Sequence, residues 1–178
     1  MNDYDREKVF SQIMPRNYGR LDLVEALEAE GFFKAPASTK YHGNYEGGLF
    51  DHSLKVTETL VELTGKLDLE WCRPESPYIV GMFHDLCKID AYKQDFETNS
   101  FVRNGDLWLP GHGEKSVILA QFFGIDLTVE EIACIRWHMG AFETDTHMWA
   151  YYDRAIEEFN NVLWTHTADM IASQIYKT

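Results

Sequence analysis

The sequence predicts an all-α domain carrying one small β-hairpin, and three observations predict it. Apolar residues recur at helical spacing through most of the chain. Glycine, proline and capping residues fall where those periodic stretches stop. Only "SFVRNGDLWLP" alternates instead, around Asn104-Gly105, a two-residue turn signal that places the hairpin near residues 101–109.

Taken in order, "LDLVEALEAE" at residues 21–30 carries Leu23 and Leu27 on one helical face and stops at Gly31. The next stretch, "KAPASTKYHGNYEGGLF", is broken by Pro36, Gly43, Gly47 and Gly48 and reads as a loop. It delivers the chain into a helix beginning near Asp51 or Ser53 and running to about Leu67. A third helix follows Pro74 and Pro77 and contains "GMFHDLCKID", residues 81–90. After the hairpin, helix resumes at Gly113 and breaks at Gly124. It restarts at Thr128, where Glu131 three residues on completes a capping box before "IACIRWHM". Helices over 148–159 and 161–176 finish the reading. No internal repeat, low-complexity stretch or linker interrupts it, so 178 residues are expected to form one domain.

Charge narrows the function. Twenty-nine acidic against 16 basic residues give a net charge of −13, which repels phosphate backbones and argues against long nucleic acids and anionic membranes as partners. Small phosphorylated molecules stay open, because a bound divalent metal can reverse the local field. The three cysteines, Cys72, Cys87 and Cys134, lack the pairing of a disulfide framework or zinc site and read as reduced core residues. The opening "MNDYDREKVF" lacks the basic and apolar regions of a signal peptide, and no run approaches the ~20 apolar residues of a membrane span. A cytoplasmic protein is expected.

Six residues stand out as a set: His52, the adjacent His84 and Asp85, His112 in "LPGHGEKS", His138 in "CIRWHMG", and Asp169 in "HTADMIAS". A lone histidine on an amphipathic helix is more often a satisfied core or surface residue than a ligand. A set of four with two carboxylates is different. His84 and Asp85 are embedded in an apolar stretch, where charge is costly unless paired or metal-bound. Imidazole and carboxylate together suit divalent Mn, Fe, Co, Ni or Zn, and separate helices can converge such ligands on a bundle core.

Those residues and their contexts, "GGLFDHSLKV", "HDLCKI", "GHGEKS", "RWHMG" and "HTADMIAS", resemble the HD-domain metal-dependent phosphohydrolase superfamily over roughly residues 45–173. The chain is also similar to the HD portion of bacterial 3′-to-5′ exoribonucleases, without their nucleic-acid-binding domain. The resemblance implies an HD-type helical bundle, with residues 1–44 as an N-terminal helix and loop and 45–173 as the metal-binding core. It implies that His52, His84, Asp85 and Asp169 hold one metal, and that Asp85 bridges to a second held by His112 and His138. Two metals ~3.5–4 Å apart can share a hydroxide and clamp phosphoryl oxygens, and a carboxylate has the two oxygens that bridging needs.

Around this set, Lys88 lies three residues after Asp85 and so on the same helical face; it can hold a substrate phosphate or protonate a leaving oxygen, or else be a solvated helix-end charge. His166 shares a face with Asp169 and either lines the pocket or orients the carboxylate. Lys115 and Glu114, beside His112, are candidates for substrate or supporting contacts, His42 can reach the mouth of the site, and His147 reads as surface. Among the aromatics, Trp108 and Trp149 are the candidates to face a pocket. The leading reading is a hydrolase of a small phosphate ester or nucleotide acting through a hydroxide activated by two divalent transition metals. The alternatives are a di-iron oxygenase of the same superfamily, such as myo-inositol oxygenase represents, and a metal-stabilised binding module. Oligomeric state and the particular substrate are not written in the sequence.

Overall fold

The computed structural model describes residues 1–95, 97–140 and 145–178. Among them run eight α-helices and one two-stranded antiparallel sheet: α1 Asp3–Ile13, α2 Leu21–Ala29, α3 Gly48–Leu67, α4 Ser76–Phe83, β1 Tyr92–Asp95, β2 Ser100–Arg103, α5 Gly113–Phe122, α6 Val129–Arg136, α7 Trp149–Glu158 and α8 Asn161–Met170. Helix α8 continues as a π-helical stretch, Ile171–Tyr176. None of the helices is long and apolar enough to cross a membrane.

The all-α class and the single hairpin are as the sequence predicts. The hairpin's second strand falls in the expected stretch, while its first lies upstream, with Tyr92 paired to Arg103 and Asp95 to Ser100. Asn104-Gly105 therefore follows the hairpin instead of turning it. Asn104 donates its side-chain amide to the Asp90 carbonyl at 2.9 Å and accepts from the Asp106 amide, which fixes the exit from β2. The capping box at α6 is complete, Thr128 accepting from the Glu131 amide and Glu131 from that of Thr128.

Three expectations need correction. A helix, α1, precedes the first expected one; its buried Arg6 clasps Asp51 of α3 at 3.1 Å, a tertiary tie invisible to local periodicity. The helix expected through Asp90 ends at Phe83, because the chain leaves helical geometry at Asp85 (φ −109°, ψ 20°) and re-enters a 3₁₀ turn at Leu86–Lys88. Cys72 is an exposed free thiol in the loop between α3 and α4, with Thr128 Oγ1 3.0 Å from its sulfur, whereas Cys87 and Cys134 are buried as expected.

Two apolar clusters hold the helices together. Phe10, Phe32, Phe33, Phe50 and Phe83 interlock by edge-to-face and tilted contacts where α1 and α2 meet α3 and α4. Val56, Leu60, Val80, Ile135 and Val162 join α3, α4, α6 and α8. Helix α3 supplies both clusters, with Leu49, Phe50 and Leu54 in the first and Val56 and Leu60 in the second, and His52 lies within this run.

Two glycines let the helices approach closely enough to gather polar side chains. A Cβ at Gly81 would stand 2.6 Å from Thr57 Cα, so α4 crosses α3 almost backbone to backbone. At Gly113 a Cβ would fall inside the Arg136 carbonyl, so the start of α5 abuts the end of α6. We expect Gly113→Ala to lower stability by about 1–3 kcal/mol, the cost of overpacking a site whose obstacle is backbone. Urea unfolding with an unchanged midpoint would show that α5 slides aside freely.

Candidate metal centre

Five elements bring the predicted set to one place. His52 sits in the second turn of α3, fully buried, with Nδ1 3.0 Å from the backbone oxygen of Thr178. His84 caps α4, and its Nδ1 lies 2.8 Å from the Gly81 carbonyl. His138 follows α6 and places Nδ1 2.7 Å from the Ile135 carbonyl. In all three rings a backbone oxygen takes the Nδ1 proton, which leaves Nε2 as a bare lone pair. Each of these Nε2 atoms is buried and has no hydrogen-bond partner among the described residues.

The lone pairs face carboxylates. Asp85 turns Oδ2 toward His52 (3.6 Å) and His84 (3.4 Å), and Oδ1 toward His138 (3.4 Å). Asp169, in the last turn of α8, stands with Oδ1 3.2 Å from His52 Nε2. Nitrogen and oxygen lone pairs at this range repel unless a proton or a cation lies between them. Donors each ~2.1 Å from a common ion stand roughly 3–4 Å apart, so the spacing fits a metal. Three triads place one ligand atom of each member within 4.8 Å of the others: His52, His84 and Asp85; His84, His138 and Asp169; Asp85, His112 and His138. The donor set, imidazoles and carboxylates without thiolate, suits a first-row divalent ion.

His112, the N-cap residue of α5, is the solvent-facing member of the set. Its ring lies 6.5 Å from that of His138, and the Cys87 sulfur meets its Nδ1 at 3.3 Å. Burial pushes the Cys87 thiol up to about 12, so the sulfur there is a neutral S–H. Nothing in the spacing "HDLC" marked Cys87 as a contact of His112; only the return of α5 onto the 3₁₀ turn reveals it.

Lys88 is not a solvated helix-end charge. It is 9% exposed, and its ammonium lies 2.5 Å from Asp85 Oδ2. Burial opposes charge on Lys88, yet the Asp85 carboxylate outweighs it and holds the amine protonated. Burial likewise pushes Asp85 up, and the Lys88 ammonium outweighs it and holds the carboxyl well below the usual carboxylate range.

The remaining candidates divide. His42 packs tilted against His52 at 4.9 Å between ring centroids, and burial, reinforced by the Lys88 ammonium, pushes it down to about 4. His166 places Nδ1 2.8 Å from the His138 carbonyl and so braces the turn that carries His138. Lys115 is buried in an ion pair with Asp90, and Glu114 pairs with Arg136, so both tie α5 to its neighbours. His147 is exposed. Trp108 is 83% exposed and Trp149 is 48% exposed, and neither lines the cavities around the site.

Of three cavities, the smallest reaches the cluster, at His112. Its volume is about 160 Å³, and Cys87, Tyr92, Arg103, His112 and Lys115 wall it. A second, of about 560 Å³, opens between residues 38–41 and the hairpin. A third, about 530 Å³, lies between residues 41–45 and the end of the π-helical stretch.

No family model and no solved structure matches the chain. It is similar to dihydroneopterin 2′,3′-cyclic phosphate phosphodiesterase of Methanocaldococcus jannaschii, with 25% identity over 140 residues that cover 72% of this chain and 54% of that protein. The chain thus spans about half the length of the curated relative it matches, and that relative is a phosphodiesterase.

Proposed function

We propose that the chain is an HD-type metal-dependent phosphohydrolase of a small phosphate ester, with residues 45–173 as its metal-binding core and two divalent ions as cofactor. The observation that carries this reading is the inward-facing set of three bare Nε2 atoms on two carboxylates, each ring fixed from behind by a backbone oxygen. His52, His84, Asp85 and Asp169 would hold one ion, and His112 and His138 the other. The two oxygens of Asp85 point to different histidine groups, which supports its role as the shared ligand. Similarity to a cyclic phosphate phosphodiesterase supports phosphoester chemistry over oxygenation.

When bound, the ions supply Lewis acidity toward phosphoryl oxygens and an activated water. The chain does the rest. Backbone oxygens at Nδ1 hold the imidazole rings with Nε2 aimed inward, which presets the ligand geometry before any ion arrives. Lys88 Nζ carries three donors and a held positive charge beside Asp85, where a phosphate oxygen or a departing alkoxide gains a partner. The −13 charge of the chain disfavours long polyanions and leaves small esters as the accessible class.

Stripping the protein with a chelator and reloading it separately with Mn, Fe, Co, Ni and Zn tests the reading. Elemental analysis is expected to return about two ions per chain, and a panel of nucleoside and alkyl phosphoesters, 2′,3′-cyclic phosphates included, is expected to be hydrolysed equally with and without oxygen. A single ion per chain unaffected by changes at His112 and His138 would overturn the two-metal assignment. Turnover that consumes oxygen and releases no phosphate or alcohol would replace hydrolysis with oxygenation.

A further inference from the structure

The four histidines of the centre are not held alike. His52, His84 and His138 are buried, and each rests Nδ1 on a backbone oxygen, a group that only accepts. His112 faces solvent at the start of α5, and its Nδ1 meets a side chain instead, the Cys87 sulfur at 3.3 Å. That is the only hydrogen-bonding contact of the His112 ring among the described residues. A solvent-facing imidazole without such a contact turns about its torsions and carries its proton on either nitrogen. Cys87 therefore decides what His112 presents to the centre.

The same sulfur has a second partner. Its S–H is directed at Asp85 Oδ1, 3.9 Å away, the carboxylate oxygen that also faces His138 Nε2. With the thiol proton on the carboxylate side, the sulfur lone pairs are left for His112, so the ring proton belongs on Nδ1 and Nε2 is bare. One short side chain thus addresses two of the three members of the triad Asp85, His112 and His138, whose ligand atoms lie within 4.8 Å of one another.

The chain holds Cys87 in place for this. The 3₁₀ turn Leu86–Lys88 buries it to 3% exposure. Its amide donates to Ser116 Oγ at 3.1 Å, and the Ser116 amide donates to the His112 carbonyl at 3.0 Å, so the turn and the start of α5 are tied beside the contact. At the next residue, Gly113, the backbone abuts the Arg136 carbonyl, which leaves the start of α5 little room to shift.

We propose that Cys87 is the positioning residue of His112: its sulfur accepts the Nδ1 proton, so that Nε2 is the nitrogen left for the ion, and the affinity of that ion is set by a side chain that coordinates nothing. The role rests on the two-ion reading of the centre and concerns only the half that contains His112. Sulfur is a weaker acceptor than the backbone oxygens behind the other three rings, so this half is the one a single-atom change can loosen.

Cys87→Ala and Cys87→Ser remove the same sulfur and differ by one hydroxyl, which accepts from a ring N–H as the thiol does, so their difference reads the hydrogen bond apart from packing. Metal-stripped protein is titrated with Co²⁺, with calorimetry for affinity and the visible absorption of bound cobalt for coordination. Cys87→Ala is expected to weaken uptake of one of the two ions by about 10–100-fold, the usual cost of losing an orienting partner, and to leave the other within about threefold. The absorption of the weakened ion should change with its affinity. Cys87→Ser should bind both ions within about fivefold of the parent. Adding Cys87→Ala to His112→Ala should weaken uptake by no more than about twofold further, because the ring it positions is already gone. Two ions bound by Cys87→Ala as by the parent, a Cys87→Ser as impaired as Cys87→Ala, or an equal weakening of both ions would overturn the role of Cys87 and leave the two-ion reading standing. A parent that takes up one ion, with His112→Ala no weaker, would end the two-ion reading and the role of Cys87 together.

Discussion

Asp85→Ala should empty the centre of metal and abolish hydrolysis in one step. Asp85 faces His52 and His84 through Oδ2 and His138 through Oδ1, so its two oxygens address three of the rings. It is the one carboxylate, beside His84 and His138, that belongs to two of the three triads whose ligand atoms cluster. Removing it takes one oxygen from each side and leaves the Lys88 ammonium buried without its counter-charge. The folded protein is expected to lose about 3–5 kcal/mol, the usual consequence of orphaning one member of a buried pair. We expect kcat/KM on any phosphoester it hydrolyses to drop by at least roughly 1000-fold, about 4 kcal/mol of transition-state stabilisation. Elemental analysis, urea unfolding and kinetics on the same preparation check the three parts. Full metal content in a folded Asp85→Ala protein would remove Asp85 from the ligand set.

The contrast between Asp85 and Cys87 shows what the sequence makes legible. His52, His84, Asp85, His112, His138 and Asp169 can be picked out because their letters are costly in apolar surroundings and each stands in a distinctive local context. Helix α6 can be bounded from sequence because Thr128 and Glu131 act within one turn. What fails to show is whatever depends on partners far along the chain. Helix α1 is held by Arg6 on Asp51, 45 residues away, and its own hydrophobic face is weak. The end of α4 has no glycine or proline to announce it; the helix stops where His84 turns Nδ1 onto Gly81 and Asp85 departs from helical dihedrals. Asn104-Gly105 has the composition of a hairpin turn, yet Asn104 spends its side chain on Asp90 and Asp106, and the strands pair one turn earlier. Lys115 beside His112 reads as a substrate contact until Asp90 is seen to neutralise it. Cys87 is an unremarkable letter in "HDLC", made a neighbour of His112 only by α5 returning onto the 3₁₀ turn.

Lys88→Met separates the chemistry from the scaffold, because Lys88 touches a candidate ligand without offering a lone pair of its own. Methionine keeps most of the length and the apolar stem and removes the charge. In metal-free protein the Lys88 ammonium is the cation nearest Asp85, at 2.5 Å, so its loss leaves a buried carboxylate facing only imidazoles. The metal-free variant should therefore be less stable by about 3–5 kcal/mol. Loading with divalent metal supplies the missing positive charge, so the stability gap between variant and parent should narrow in the loaded protein while metal content stays at the parent level. Activity should not recover with it. The substrate phosphate still lacks the ammonium, and kcat/KM is expected to fall ~10–1000-fold, roughly 1.4–4 kcal/mol, appearing in kcat if Lys88 protonates the leaving oxygen and in KM if it grips the phosphate. A purely structural lysine would give the opposite pattern, with kinetics within about twofold of the parent once metal had restored stability. That result would take Lys88 out of the reaction and leave it as the counter-charge that keeps Asp85 ionised until metal arrives.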